Sequence, residues 1–180
     1  METLIIYNST HHGNTEKIAK VMAEILDAEL VKPDEVDIAT LSKYDLIGFG
    51  SGIYHGKHHK SLFELINKLN NQKGKKAFIL STSGIKKVCF FHEFDKTLKR
   101  KLLEKGFRII GEFNCRGWDT YPFWVKPFGG VNKGKPDEKD LENAKNFVRV
   151  LKRIFESDQS GSVSSVNRRS PQGKSVVKFK

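Results

Sequence analysis

The chain is poor in cysteine and has no long apolar run, and each absence removes a class of protein. Cys89 and Cys115 are the only cysteines among 180 residues. Two thiols without metal-ligand spacing fit a reducing cytoplasm, with both read as buried apolar residues. No apolar stretch approaches the roughly 20 residues of a bilayer-spanning helix. The N-terminus lacks a basic region followed by an apolar stretch and a cleavage site, so secretion is not indicated. The loop Thr10–Thr15 also lacks Gly-x-Gly-x-x-Gly and the Gly-Lys-Ser/Thr ending of a nucleotide phosphate loop. Their absence argues against a dinucleotide fingerprint and against triphosphate hydrolysis.

What is present is enough apolar residue for one domain with a full core: 38% hydrophobic beside 29% charged. The net charge is +11. Such a field attracts acidic proteins, nucleic acids or anionic lipid surfaces without choosing among them, and a generally basic solvated surface accounts for it equally well.

Short apolar runs alternate with amphipathic helical patterns. "TLIIY" (Thr3–Tyr7), "AELVKP" up to Pro33, "YDLIGFG" (Tyr44–Gly50), "KKAFILS" (Lys75–Ser81) and "FRIIGEFNC" (Phe107–Cys115) read as strands. Between them, Ile18, Val21, Met22, Ile25 and Leu26 form one helical stripe. Leu62, Leu65, Ile66 and Leu69 form a second, and Phe94, Leu98, Leu102 and Leu103 a third, closed by Gly106. A last helix opens at Pro136 and Asp137 and carries Leu141, Ala144, Phe147, Val148, Leu151 and Ile154. Five alternations predict an α/β fold with a parallel sheet, helices on both faces and right-handed crossovers. The domain is expected over residues 1–156. Residues 157–180 turn to Ser, Gly, Gln and base, with Arg168, Arg169, Lys174, Lys178 and Lys180 against Asp158 alone, and read as a disordered basic tail.

The loop "THHGNT" (Thr10–Thr15) leaves the carboxyl end of the first strand and opens the first helix, where open α/β sheets bind ligands. The helix N-terminus favours an anion, Gly13 permits close backbone approach, and Thr10, Asn14 and Thr15 supply polar side chains. These residues resemble the phosphate loop of the flavodoxin family, [S/T]-x-[S/T]-G-x-T. His12 stands where that family usually has a hydroxyl residue. The resemblance covers about residues 3–155. It implies a flavodoxin-like three-layer sandwich with five parallel strands in the order 2-1-3-4-5. It implies non-covalent FMN, its phosphate held by Thr10, His11, His12, Gly13, Asn14 and Thr15. It also places the flavin ring between the loops after the third and fourth strands. Those loops are "GSGIYHGKHHKS", with Ser51, Gly52, Ile53, Tyr54, His55 and Gly56, and "STSGIKKVCFF", with Ser81, Thr82, Ser83 and Gly84. Ile53 and Tyr54 give flat or apolar surface to a ring, and Gly52 is the expected site of backbone flips beside it.

The function the resemblance implies is electron transfer between redox partners. Members of the family are typically acidic, so this chain's charge implies a partner with an acidic surface. The loop at Gly50–His59 is similar to that of flavodoxin-superfamily protoporphyrinogen dehydrogenases at Gly50, Ser51, Ile53, Gly56 and His59. That similarity implies the alternative of an FMN-dependent oxidoreductase acting on a quinone or porphyrinogen-type substrate. His55, His58 and His59 lack the Glu of a His-Glu-x-x-His site, and a flavin-rim or solvent role is expected ahead of a metal site. Trp118, Tyr121, Phe123, Trp124 and Phe128 crowd one long loop, either as packing or as a lid or docking patch. No nucleic-acid recognition motif is present.

Overall fold

The computed structural model describes residues 1–84, 94–120, 129–161 and 177–179. The chain runs β1 (Thr3–Asn8), α1 (Asn14–Leu26), β2 (Glu29–Val31), a 3-10 turn (Ile38–Lys43), β3 (Leu46–Tyr54), β4 (Lys57–His58) and α2 (Lys60–Lys68). It continues through β5 (Lys76–Ser83), α3 (Lys96–Glu104), β6 (Arg108–Arg116), α4 (Glu138–Gly161) and β7 (Val177–Phe179). The sheet order is β2-β1-β3-β5-β6-β7, with β4 paired off this path on β3. Apart from the hairpin strand β4 and the added edge β7, the five strands of the βα units take the flavodoxin order 2-1-3-4-5.

Strand alternation divides the core. Ile5 and Tyr7 of β1 join Ile18 and Met22 of α1 and Phe147, Val148 and Leu151 of α4 on one face. Leu4 and Ile6 join Leu62 and Ile66 of α2 and Leu98 and Leu102 of α3 on the other. The strands read as continuous apolar runs because both faces are covered. Gly48 and Gly50 are packing glycines: a Cβ on either would lie 2.4 Å or 2.3 Å from the side chains of Phe78 and Leu80 in β5. Leu103 departs from the expected stripe and is 50% exposed, because Leu98 and Leu102 already fill the inward i, i+4 positions of α3.

Two sequence expectations are corrected. The domain boundary at Glu156 falls inside α4, which continues to Gly161. Asp158 pairs with Lys76 at 3.4 Å and Arg108 at 3.1 Å, so the last turns are tied to the bases of β5 and β6. The tail is also not structureless throughout, since Val177–Phe179 pair in parallel with Gly111–Phe113. The outer edge of β6 carries unpaired backbone groups that a further strand satisfies. Second, β3 does not end at Gly50. It runs to Tyr54 and folds back as a hairpin onto β4, pairing Ile53 with His58 and Tyr54 with Lys57.

α4 begins in a reciprocal cap: Asp140 N–H donates to Asp137 Oδ1 at 3.0 Å, and Asp137 N–H donates to Asp140 Oδ2 at 3.1 Å. The Lys135 ammonium bonds Asp137 at 2.7 Å and Asp140 at 3.0 Å. The bond from Lys135, then that from the Asp140 backbone, holds the Asp137 carboxyl at about 2, below its ordinary 3.8. A carboxylate lowered on folding stabilises the native state above its unfolded pKa and loses that contribution as pH falls towards its folded one. The melting temperature is therefore expected to fall between about pH 4 and about pH 2, with a smaller slope in Asp137→Asn. Equal slopes for the two proteins in thermal unfolding at stepped pH would contradict this.

Candidate functional site

All the strands of the βα units end at one edge of the sheet, and there the side chains change from apolar to polar. In register across the sheet stand Asn8, Ser51, Ser81 and Asn114. Asn114 Nδ2 donates to Ser81 Oγ at 3.0 Å. Beyond this polar row the loops open a cleft of about 860 Å³. That is within the range of small-molecule and cofactor sites.

One wall is the β1–α1 turn. His12 and Gly13 both take left-handed backbone (φ 55° and 66°), which turns the chain sharply enough for α1 to start at Asn14. Thr10, His11, Asn14 and Thr15 line the cleft, together with Ser9. Asn14 Nδ2 donates to the Trp118 carbonyl at 2.8 Å. Asn14 Oδ1 and Ser9 Oγ are buried without a hydrogen-bond partner among the described residues. Buried polar atoms are normally satisfied, and these two oxygens are exceptions. The Thr15 and Thr82 hydroxyls lie 2.9 Å apart. One bond between them uses one hydrogen and leaves the other for a ligand oxygen. The α1 N-terminus adds its dipole at this end.

The second wall is the β3–β4 hairpin, with Gly52, Ile53, Tyr54, His55, Gly56 and His59 facing the cleft. His55 and Gly56 occupy the two turn positions at φ 49° and 75°, as a two-residue hairpin turn of the I′ kind requires. Tyr54 packs between His11 and His59, each ring 5.7 Å away. Its hydroxyl folds back to 2.8 Å from where a Gly52 Cβ would stand. Gly52 itself is extended and paired with Thr82, and the left-handed glycine of this loop is Gly56. Burial, and then the neighbouring Lys60, hold the His59 imidazole below its usual range. Its Nδ1 accepts the Ser61 N–H at the start of α2.

Thr82, Ser83 and Gly84 at the end of β5 form the floor, and Gly117, Trp118 and Asp119 after β6 form the third wall. Asn132 Nδ2 donates to the Gly84 carbonyl at 2.6 Å, and Asp119 pairs with Val131. The Trp118 ring stacks on His12 at 4.0 Å, and its Nε1–H donates to the Gly129 carbonyl. Phe94, just before α3, is a further apolar surface of the cleft.

Four residues expected at a ligand do not line the cleft. Ser51 and Ser81 are fully buried in the polar row and bonded internally. His12 is spent on Trp118 and on Thr120 Oγ1 at 2.9 Å. Gly13 is the left-handed residue that precedes α1. Conversely, Ser9, Phe94, Gly117 and Asp119 do line it, and no motif singles them out. For Gly117 and Asp119 the signal was topological: they follow the last long strand at its carboxyl end. Residues 85–91 of the fourth-strand loop, His92, and Tyr121, Phe123, Trp124 and Phe128 lie outside the described residues. Among the described residues no group of three His, Cys, Asp or Glu side chains could hold a metal ion. Nor is any helix among them long and apolar enough to cross a membrane.

The turn geometry gives a test. Gly56→Val places a side chain in left-handed backbone and is expected to cost about 1–2 kcal/mol. Gly52→Ala, in extended backbone, meets the hydroxyl end of the half-buried Tyr54 ring, which must shift, and is expected to cost about 1 kcal/mol or less. Urea unfolding of both variants decides, and equal losses would contradict the assignment of the strained position.

A family model described as a flavodoxin domain matches residues 4–110. An uncharacterized protein of Methanocaldococcus jannaschii is 50% identical over 152 residues, covering 84% of this chain and 98% of that one. Among solved structures, a flavodoxin from the domain Archaea superposes with a TM-score of 0.65 at 17% identity, covering 87% of this chain and 99% of that one. Oxidised flavodoxin 2 of Bacillus cereus gives 0.64 at 21% identity, covering 86% and 100%. The rubredoxin oxygen:oxidoreductase of Desulfovibrio gigas gives 0.66 at 16% identity, and there the match takes in 88% of this chain but 37% of the larger protein. With its sheet order, its helices on both faces and a cleft where the strands end, the chain belongs to the flavodoxin family.

Proposed function

We propose that the chain binds FMN non-covalently in this cleft and carries electrons between redox proteins. The observation that supports it most is that one cleft combines two chemistries. A helix N-terminus and the Thr15–Thr82 hydroxyl pair stand in it beside the flat or apolar surfaces of Ile53, Tyr54, Phe94 and Trp118. A ligand with an anionic tail and a planar ring matches that combination.

FMN, when bound, supplies the redox chemistry through its ring. The protein's part is to hold it and to govern access. The α1 N-terminus and Thr15 hold the phosphate. Tyr54 and Trp118 enclose the ring and exclude water, with the ends of β5 at its polar edge. His55 is exposed at the rim, and the exposed Lys57, Lys60 and Lys96 adjoin the cleft residues Gly56, His59 and Phe94 in sequence. With a net charge of +11, this mouth favours a redox partner with an acidic surface, in the cytoplasm.

The test is the visible spectrum of the purified protein, with identification of any released cofactor, followed by stopped-flow reduction by an acidic flavodoxin reductase or ferredoxin. A flavin spectrum, released FMN and a bimolecular rate that falls about tenfold or more from low to physiological salt are expected. A rate indifferent to salt contradicts the acidic partner, and a colourless protein that takes up no FMN contradicts the reading. Steady turnover of a quinone by the isolated protein would favour the oxidoreductase alternative, which the Ile53, Gly56 and His59 pattern in the hairpin also fits.

A further inference from the structure

A buried chain of polar side chains lies beneath the hairpin wall and belongs to none of the roles above. The His58 imidazole is completely enclosed, and the Asp95 side chain is 2% exposed. His58 Nε2 lies 2.8 Å from Asp95 Oδ1, and Nδ1 lies 2.9 Å from Ser51 Oγ. Ser51 Oγ in turn accepts the His59 N–H at 2.9 Å and lies 2.8 Å from the Gly52 carbonyl. One imidazole thus connects the end of β3, the return strand β4, the entry to α2 and the entry to α3.

Three observations set this chain apart from ordinary packing. Burying three polar side chains is unfavourable unless all are bonded, and an apolar trio would fill the space without that demand. Asp95 stands at the N-cap position of α3, yet its side chain makes no cap bond to its own helix; the carboxylate is directed to His58 instead. The hairpin it reaches is small, since β4 has two residues and its turn holds His55 in left-handed backbone. A two-residue return strand does not hold such a turn alone.

We propose that His58 is a positioning residue: through Asp95 and Ser51 it holds the segment Gly52–Gly56 and His59 in the geometry that receives the ligand's ring. The proposal rests on the FMN reading for the identity of that ligand, but not for the mechanics of the hairpin. His58 touches no ligand itself. It fixes the position of Ile53 through the strand pair and of His59 through Ser51, and it binds this wall to the α3 end that carries Phe94.

The test is amide hydrogen exchange of the full chain, with and without FMN, for the unmodified protein, Asp95→Ala and Asp95→Asn. Asn retains an oxygen to accept the Nε2–H. Exchange over residues 52–59 is expected to be about tenfold faster in Asp95→Ala, the scale of one lost hydrogen bond to a charged group. In Asp95→Asn it is expected near the unmodified rate, with β1 and α1 unchanged in both. FMN affinity by fluorescence titration is expected to drop about tenfold in the Ala variant and to recover in the Asn variant. Unmodified exchange over 52–59 in Asp95→Ala overturns the proposal, and so does a rise spread evenly over the sheet. Should Asp95→Ala fail to fold, Ser51→Ala cuts the chain at its other end, with the same local acceleration expected and its absence equally decisive. If the unmodified protein takes up no FMN, the carrier reading falls, while exchange in the ligand-free proteins still decides the role of His58.

Discussion

The structure depends on one constraint: its parallel strands all end on the same edge, and their last backbone and side-chain groups must be satisfied there. Within the sheet, each strand is buried on both faces, so β1, β3, β5 and β6 are apolar and sealed by α1 and α4 on one side and α2 and α3 on the other. At the edge that cover ends. The row Asn8, Ser51, Ser81 and Asn114, near the ends of the ladders, marks the change to a polar layer. Beyond it the strands run on into four loops that converge on one cleft.

Each loop solves its own local problem in a way that shapes that cleft. The β1–α1 turn takes two successive left-handed residues and so points a helix N-terminus inward. The β3–β4 hairpin brings Tyr54 back over Gly52. The loop after β6 is braced by the Asp119–Val131 bridge, by Asn132 on Gly84 and by the stacking of Trp118 on His12. The His12 side chain, at the place of a hydroxyl in the family's phosphate loop, thus serves the opposite wall. Cross-bracing of this kind leaves the walls little freedom to collapse, which lowers the ordering cost of binding.

The parts of this arrangement that were legible in the sequence are those with a local signature. Strand and helix periodicity disclosed the five βα units and hence the edge at which the cleft opens. The run Thr10–Thr15 pointed to one wall of that cleft, because it leaves a strand's carboxyl end and opens a helix. Three-dimensional pairing was not legible. Nothing local says that Ser51 and Ser81 turn into the polar row, that Asp95 leaves its own helix for His58, or that Asn14 bonds the Trp118 carbonyl. The β3–β4 hairpin was hidden because "GSGIYHGKHH" reads as a glycine-rich loop, and only pairing distinguishes Gly52 in a strand from Gly56 in a turn. The strand at Val177–Phe179 was hidden by a tail whose composition is polar and basic; it forms because β6 offers it an edge.

The central claim is that the α1 N-terminus holds a phosphate while Tyr54 and Trp118 hold a ring. Calorimetric titration of the ligand-free protein with FMN and with riboflavin tests it most directly, since the two differ only in the phosphate. The account predicts that FMN binds at least about tenfold more tightly, the contribution of charge-assisted bonds at a helix N-terminus. Equal affinities for the two flavins would show that the α1 end is not a phosphate site and would contradict the account.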